Sequence, residues 1–150
     1  VNRPYAERAP IMADKMIFLN LPVNDLQRSK EFYVSLGWSI NEDFTDEKAS
    51  CVVIDDNICL MLLTKEFYKT FSERPIADTA AYSAAAYAVA LPSREAVDEI
   101  TEAALKAGGA EETAKSERRG QEAEVGMYGR TFLDIDGHQW EPFYMPNPTS

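Results

Sequence analysis

Histidine, cysteine and basic residues are all scarce in this 150-residue chain, and each shortage removes a class of function. One histidine and two cysteines cannot build the His- and Cys-rich clusters of structural zinc sites. Fifteen lysines and arginines stand against 25 acidic residues, a net charge of −10. A surface of that sign repels nucleic acid and anionic membranes, so neither is expected as a partner, whereas a cationic ligand would be drawn in. Long apolar runs are missing too: Ile58 to Leu63 falls far short of the roughly 20 residues a membrane-spanning helix requires. The first residues carry Arg3, Glu7 and Arg8 with no apolar core behind them, so no secretory signal is expected and the cytoplasm is the expected compartment. Cys51 and Cys59 fall on successive strands joined by a turn at Asp56-Asn57. A turn pairing Asp55 with Ile58 and Ile54 with Cys59 sets the two thiols on opposite faces, which predicts free buried thiols rather than a bridge.

What is present is enough to fold. With 45% hydrophobic residues the chain can bury the core of one compact domain. Residues 1–14 lack periodicity, contain Pro4 and Pro10, and read as a flexible arm; residues 146–150 read as a tail. Between them, Met16 to Val23 reads as a strand. Asp25 then caps a helix whose Leu26, Ser29, Phe32, Tyr33 and Leu36 recur at helical spacing until Gly37 ends it. Strands are predicted over Trp38–Phe44, Ala49–Asp55 and Ile58–Leu63, and a short helix over Lys65–Phe71. The order then repeats. Ala84–Leu91 is a strand, and Ser93 caps a helix that presents Val97, Ile100, Ala104 and Leu105 inward and stops at Gly108-Gly109. A weak strand begins near Ala110, and the charged run Glu111–Glu124 reads as a solvated loop or twisted edge. Met127–Ile135 and His138–Met145 form a hairpin about Asp136-Gly137, a dipeptide suited to a type I′ turn.

The chain therefore reads β-α-β-β-β twice, with module 1 over about residues 15–72 and module 2 over about 84–145 of a single domain, 15–145. One such unit leaves a sheet face bare. The expected fold is α+β, two βαβββ modules whose mixed sheets curl around a cleft with the helices outside. Ligands would bind in that cleft.

Two stretches carry a family likeness. Leu21-Pro22-Val23-Asn24-Asp25-Leu26-Gln27-Arg28-Ser29, followed by Phe32-Tyr33 and Leu36-Gly37, resembles the opening signature of the vicinal oxygen chelate superfamily, which comprises the glyoxalase, bleomycin resistance and extradiol dioxygenase proteins. Asp134-Ile135-Asp136-Gly137-His138-Gln139-Trp140-Glu141 resembles its closing signature. The resemblance implies the fold over Met16 to Met145 but selects no activity, since one scaffold hosts many. It also implies four metal-ligand positions, one on the first and one on the last strand of each module. By motif these fall at Phe18 and Glu141, and by the internal echo at Leu60 and Ala86. Three of those are hydrocarbon and offer no lone pair, so no metal or other cofactor is expected, and Glu141 is the one retained ligand position.

Strand alternation then supplies Glu141's neighbours. With Ile135 opposite His138, Phe132 falls opposite Glu141 and Arg130 opposite Phe143, and Tyr128 shares their face. Phe18, Asn20 and Leu60 point in from module 1. The predicted ligand-binding set is thus Phe18, Asn20, Leu60, Tyr128, Arg130, Phe132 and Phe143 about Glu141, which pairs diagonally with Arg130 or, unpaired, serves as a catalytic base. His138, beside the turn, is read as a turn or surface residue with no role. The expected function is a small-molecule-binding protein, homodimeric and without a complete metal site. The alternatives are a lyase, isomerase or dioxygenase using Glu141 with a recruited divalent metal, and a non-catalytic structural or regulatory relic.

Overall fold

A computed structural model describes residues 15–113 and 116–146. The expected arm and most of the tail lie outside the described residues. Strands β1 (Ile17–Val23), β2 (Ser39–Asn41), β3 (Ala49–Asp55) and β4 (Ile58–Thr64) form one sheet in the order β1-β4-β3-β2. Strands β5 (Ala86–Ala90), β6 (Ala110–Glu112), β8 (Thr131–Leu133) and β9 (Gln139–Tyr144) form the second in the order β5-β9-β8-β6, with β7 (Tyr128–Gly129) also pairing β9. In both, the strand before the helix runs parallel to the last strand of its module. The fold is the α+β architecture of two mixed sheets with helices outside.

Helix α1 (Leu26–Ser35) starts where Asp25 accepts the Arg28 N–H, and, beyond the short α2 (Lys65–Tyr68), α3 (Arg94–Lys106) starts where Ser93 accepts the Ala96 N–H. Gly37 and Gly108 follow their C-termini at φ 96° and 106°, which a side chain would resist. Each helix covers one face of its sheet, and the two meet. Phe32 and Tyr33 of α1 are buried against Leu60 and Leu62 on one side and Phe132 and Trp140 on the other, so both modules share one core.

Polar groups fasten this junction. The Tyr33 hydroxyl donates to the buried carboxylate of Asp134 and accepts from Trp140 Nε1 at 3.0 Å. Ser29 Oγ and the Asn24 N–H, in the first turn of α1 and just ahead of it, donate to Asp136 at 3.0 and 2.9 Å. His138 is 5% exposed rather than a surface residue: its Nε2 donates at 2.9 Å to the Pro22 carbonyl, 116 positions away. Burial pushes the Asp134 carboxyl above its ordinary range, and burial together with Asp134 does the same to the Tyr33 hydroxyl.

Four local expectations change. The run read as a loop contains helix α4 (Ser116–Glu124), in which Arg118 and Arg119 bond Glu122 at four- and three-residue spacing. The strand expected over Trp38–Phe44 is only Ser39–Asn41, because the Asn41 side chain caps a 3₁₀ turn at Glu42–Phe44. A bulge at Ile54 shifts β3 by one residue against β4, pairing Val53 with Cys59 and Cys51 with Met61, so the two cysteines share a face after all. Both are free and buried, and burial followed by Cys59's proximity pushes the Cys51 thiol up to about 11.

The fourth change is the hairpin before β9. Asp134 Oδ1 accepts the N–H groups of Asp136 and His138 at 2.9 Å, which builds a three-residue loop in place of a two-residue type I′ turn. Asp134 thus pairs with His138, Phe132 with Trp140 and Leu133 with Gln139. A single extra loop residue sends Glu141 to the face opposite Phe132.

Candidate functional site

The face of each sheet turned away from α1 or α3 is the one a ligand can reach. In module 2 it carries Ala86, Ala88 and Ala90 on β5, beside Gln139, Glu141 and Phe143 on β9. In module 1 it carries Phe18 and Asn20 on β1, beside Cys59 and Met61 on β4. Phe18 is 49% exposed, and Asn20, Ala86 and Ala88 are exposed as well.

Four of the residues expected around Glu141 are elsewhere. Leu60 and Phe132 lie in the shared core, and Cys59 and Met61 take the cleft face of β4. Tyr128 and Arg130 share the helix face with Phe132. The Tyr128 hydroxyl donates to Asp98 on α3 at 2.6 Å. Arg130 makes ion pairs with Asp98 at 3.0 Å and Glu102 at 2.8 Å, and grips Glu111 through two bonds of 2.8 Å. Arg130 holds Glu111 below the ordinary carboxylate range; Tyr128, then Arg130, does so for Asp98. The expected diagonal pair of Arg130 with Glu141 does not form. Phe143 alone of the expected module 2 companions stays on the Glu141 face, while Phe18 and Asn20 lie on the helix-free face of module 1.

Glu141 has other partners, and α4 supplies them. Its Oε1 accepts from Gln139 Nε2 at 3.3 Å and stands 3.9 Å from Arg118. Next along the helix, Arg119 donates to Glu122 at 2.8 Å and to the Thr131 hydroxyl at 3.0 Å. Thr131 belongs to the same face as Glu141, and Arg119 fills the space beside Gly129 and Phe143 there. Helix α4 therefore covers the β7–β8 side of this face and leaves its β5 side open, with Glu141 21% exposed beneath the helix edge. The signal was present in the run itself, where Arg118, Arg119 and Glu122 stand at helical spacing.

Glu141 faces a cation and an amide, its strand neighbour Ala88 has no lone pair, and no group of three or more His, Cys, Asp or Glu side chains among the described residues could hold a metal ion. No helix of the described residues is long and apolar enough to cross a membrane.

Residues 15–55 match the family model described as bleomycin resistance protein-like N-terminal. No curated protein matches the sequence. Among solved structures, the hypothetical protein SA1046 from S. aureus is 25% identical, with a TM-score of 0.68 over 89% of this chain and 98% of that one. A glyoxalase/bleomycin resistance protein/dioxygenase family enzyme from Burkholderia phytofirmans PsJN is 18% identical, with a TM-score of 0.69 over 87% and 98%. The fosfomycin resistance protein FosX from Mesorhizobium loti is 15% identical, with a TM-score of 0.59 over 88% and 92%. The first part of the chain thus matches a bleomycin resistance protein-like family model, and the fold is the one seen in these glyoxalase/bleomycin resistance protein/dioxygenase structures.

Proposed function

We propose that the protein binds a small organic molecule on the part of the Glu141 face that α4 leaves open, without a complete metal site, and that a second copy of the chain completes the cleft. The observation that carries this reading is the composition of that face: one carboxylate, steadied by Gln139 and Arg118, beside the alanines of β5 and Phe143. An apolar surface with a few convergent polar groups is suited to holding a ligand. Glu141 attracts a cationic group, and the overall charge of −10 draws such a ligand toward the protein. The large ring of Phe18 and the small residues of β5 stand exposed on the cleft faces, and β1 and β5 are edge strands of their sheets. A second copy would cover both features.

Metal analysis of the purified protein, combined with a thermal-shift screen of cationic ligands of the bleomycin type, tests the reading. The expected result is substoichiometric metal and a ligand-dependent rise in melting temperature that Glu141→Gln abolishes. Stoichiometric Zn²⁺, Ni²⁺, Mn²⁺ or Fe²⁺ lost in Glu141→Gln would replace it with the lyase, isomerase or dioxygenase alternative. Sedimentation tests the second copy, and a monomer at micromolar concentration would remove that part.

A further inference from the structure

A second pocket, of about 280 Å³, opens at the seam between the modules. Its walls come from the C-terminal half of β1, the connection between β4 and β5, the start of β5, and His138. Of the residues named on the two faces above, it shares only Asn20. Its polar lining includes Tyr68, Ser72, Arg74, Thr79, Tyr87 and His138, with Asn20 beside them, and its apolar lining includes Pro75 and Ile76.

Charge is the informative property. In a chain with a net charge of −10, Arg74 is the only formally charged residue lining this pocket. The ion pairs among the described residues are made by Lys30, Arg118, Arg119 and Arg130, so Arg74 has no carboxylate partner there. The walls are also built in advance. Tyr87 packs on Trp140 with ring centroids 5.1 Å apart, the backbone N–H of Arg74 donates to Ser72 Oγ at 3.1 Å, and Thr79 Oγ1 donates to the Asp136 carbonyl at 2.6 Å. Burial, then the neighbouring Tyr68, pushes the Tyr87 hydroxyl up, which keeps it a proton donor.

We propose that the seam pocket binds a small monocarboxylate with a compact apolar body, Arg74 taking the carboxylate, Tyr68 and Tyr87 donating beside it, and Pro75 and Ile76 covering the body. A guanidinium fork matches a carboxylate in two parallel hydrogen bonds, and phenol hydroxyls add neutral donors. The volume, about nine waters at roughly 30 Å³ each, is ample for a ligand the size of benzoate. This site is separate from the proposed cation-attracting face, and the two can fail independently.

Sodium benzoate, followed by amide NMR on the full chain, tests it. Saturable shifts confined to the segments around Tyr68 to Ile76, Tyr87 and His138 are expected. The neutral isostere benzamide should bind at least tenfold more weakly, Arg74→Gln should weaken benzoate at least fivefold, Arg74→Lys should retain part of the affinity, and Glu141→Gln should leave it unchanged. Equal binding of benzamide, an unaffected Arg74→Gln variant, shifts clustered about Glu141, or no saturable shift at millimolar benzoate would each overturn the proposal. Inorganic phosphate binding in place of benzoate would overturn it too.

Discussion

Replacing Tyr33 by phenylalanine removes one oxygen from the junction between the modules and nothing else. The ring makes an edge contact with Phe32 at 5.0 Å and stacks on Trp38 at 5.9 Å, and phenylalanine keeps both, so no apolar burial is lost. Tyr33 is 0% exposed, so water cannot stand in for the hydroxyl. A hydrogen bond to a carboxylate contributes about 1.5–3 kcal/mol, and a buried donor left unpaired costs about 1–3 kcal/mol more. Here that donor is Trp140 Nε1, while Asp134 keeps its two backbone partners. The expected loss is therefore about 3–5 kcal/mol, which for a domain of this size lowers the melting temperature by roughly 10 °C. Urea unfolding followed by tryptophan fluorescence reads it directly, since Trp38 and Trp140 both pack near the ring. The midpoint should fall with the slope unchanged. A loss under about 1 kcal/mol would refute the reasoning, as would a double-mutant cycle in which Trp140→Phe costs the same with and without the hydroxyl.

Two glycines should respond to alanine with opposite signs. At Gly137 the backbone has φ 89° and an added Cβ would sit 2.1 Å from the Thr79 carbonyl oxygen, so Gly137→Ala should lose about 3 kcal/mol or more in the same unfolding assay. Gly120→Ala on α4 meets nothing within 4 Å and should gain about 0.5–1 kcal/mol. Asp134 sets a pH dependence: its folded-state pKa is raised by burial, so the folded state holds the proton more tightly and stability falls as pH rises from the ordinary carboxylate range through that raised value. The stability difference between wild type and Asp134→Asn should therefore shrink with rising pH across that window, and a difference that widens would reverse the assignment.

Elements whose causes are local were readable in the sequence. Asp25, Gly37, Ser93 and Gly108 act within a turn of themselves, and they mark the ends of α1 and α3 as expected. The faces of the strands were not readable, because each depends on one residue of slack. The bulge at Ile54 and the side-chain bonds of Asp134 each insert a residue, and either insertion inverts what a strand presents downstream. That is why Leu60, Phe132, Tyr128 and Arg130 belong to the core and the helix face while Glu141 does not. His138 was misplaced for a different reason: its partner at Pro22 is remote in the chain and leaves no local trace. Helix α4 was hidden by Gly120 and by a charge density that reads equally as solvated coil.

The clamp that the last turn places on the first helix also bears on how the chain emerges from the ribosome. Ser29 and Tyr33 are made early, yet their partners Asp136 and Asp134 are synthesised 107 and 101 residues later. Until then the nascent first module must keep those hydroxyls hydrated and its inner surface loose. Native closure is thus tied to the arrival of the final hairpin, and a transcript cut short before it would yield a sticky half-protein rather than a smaller working one.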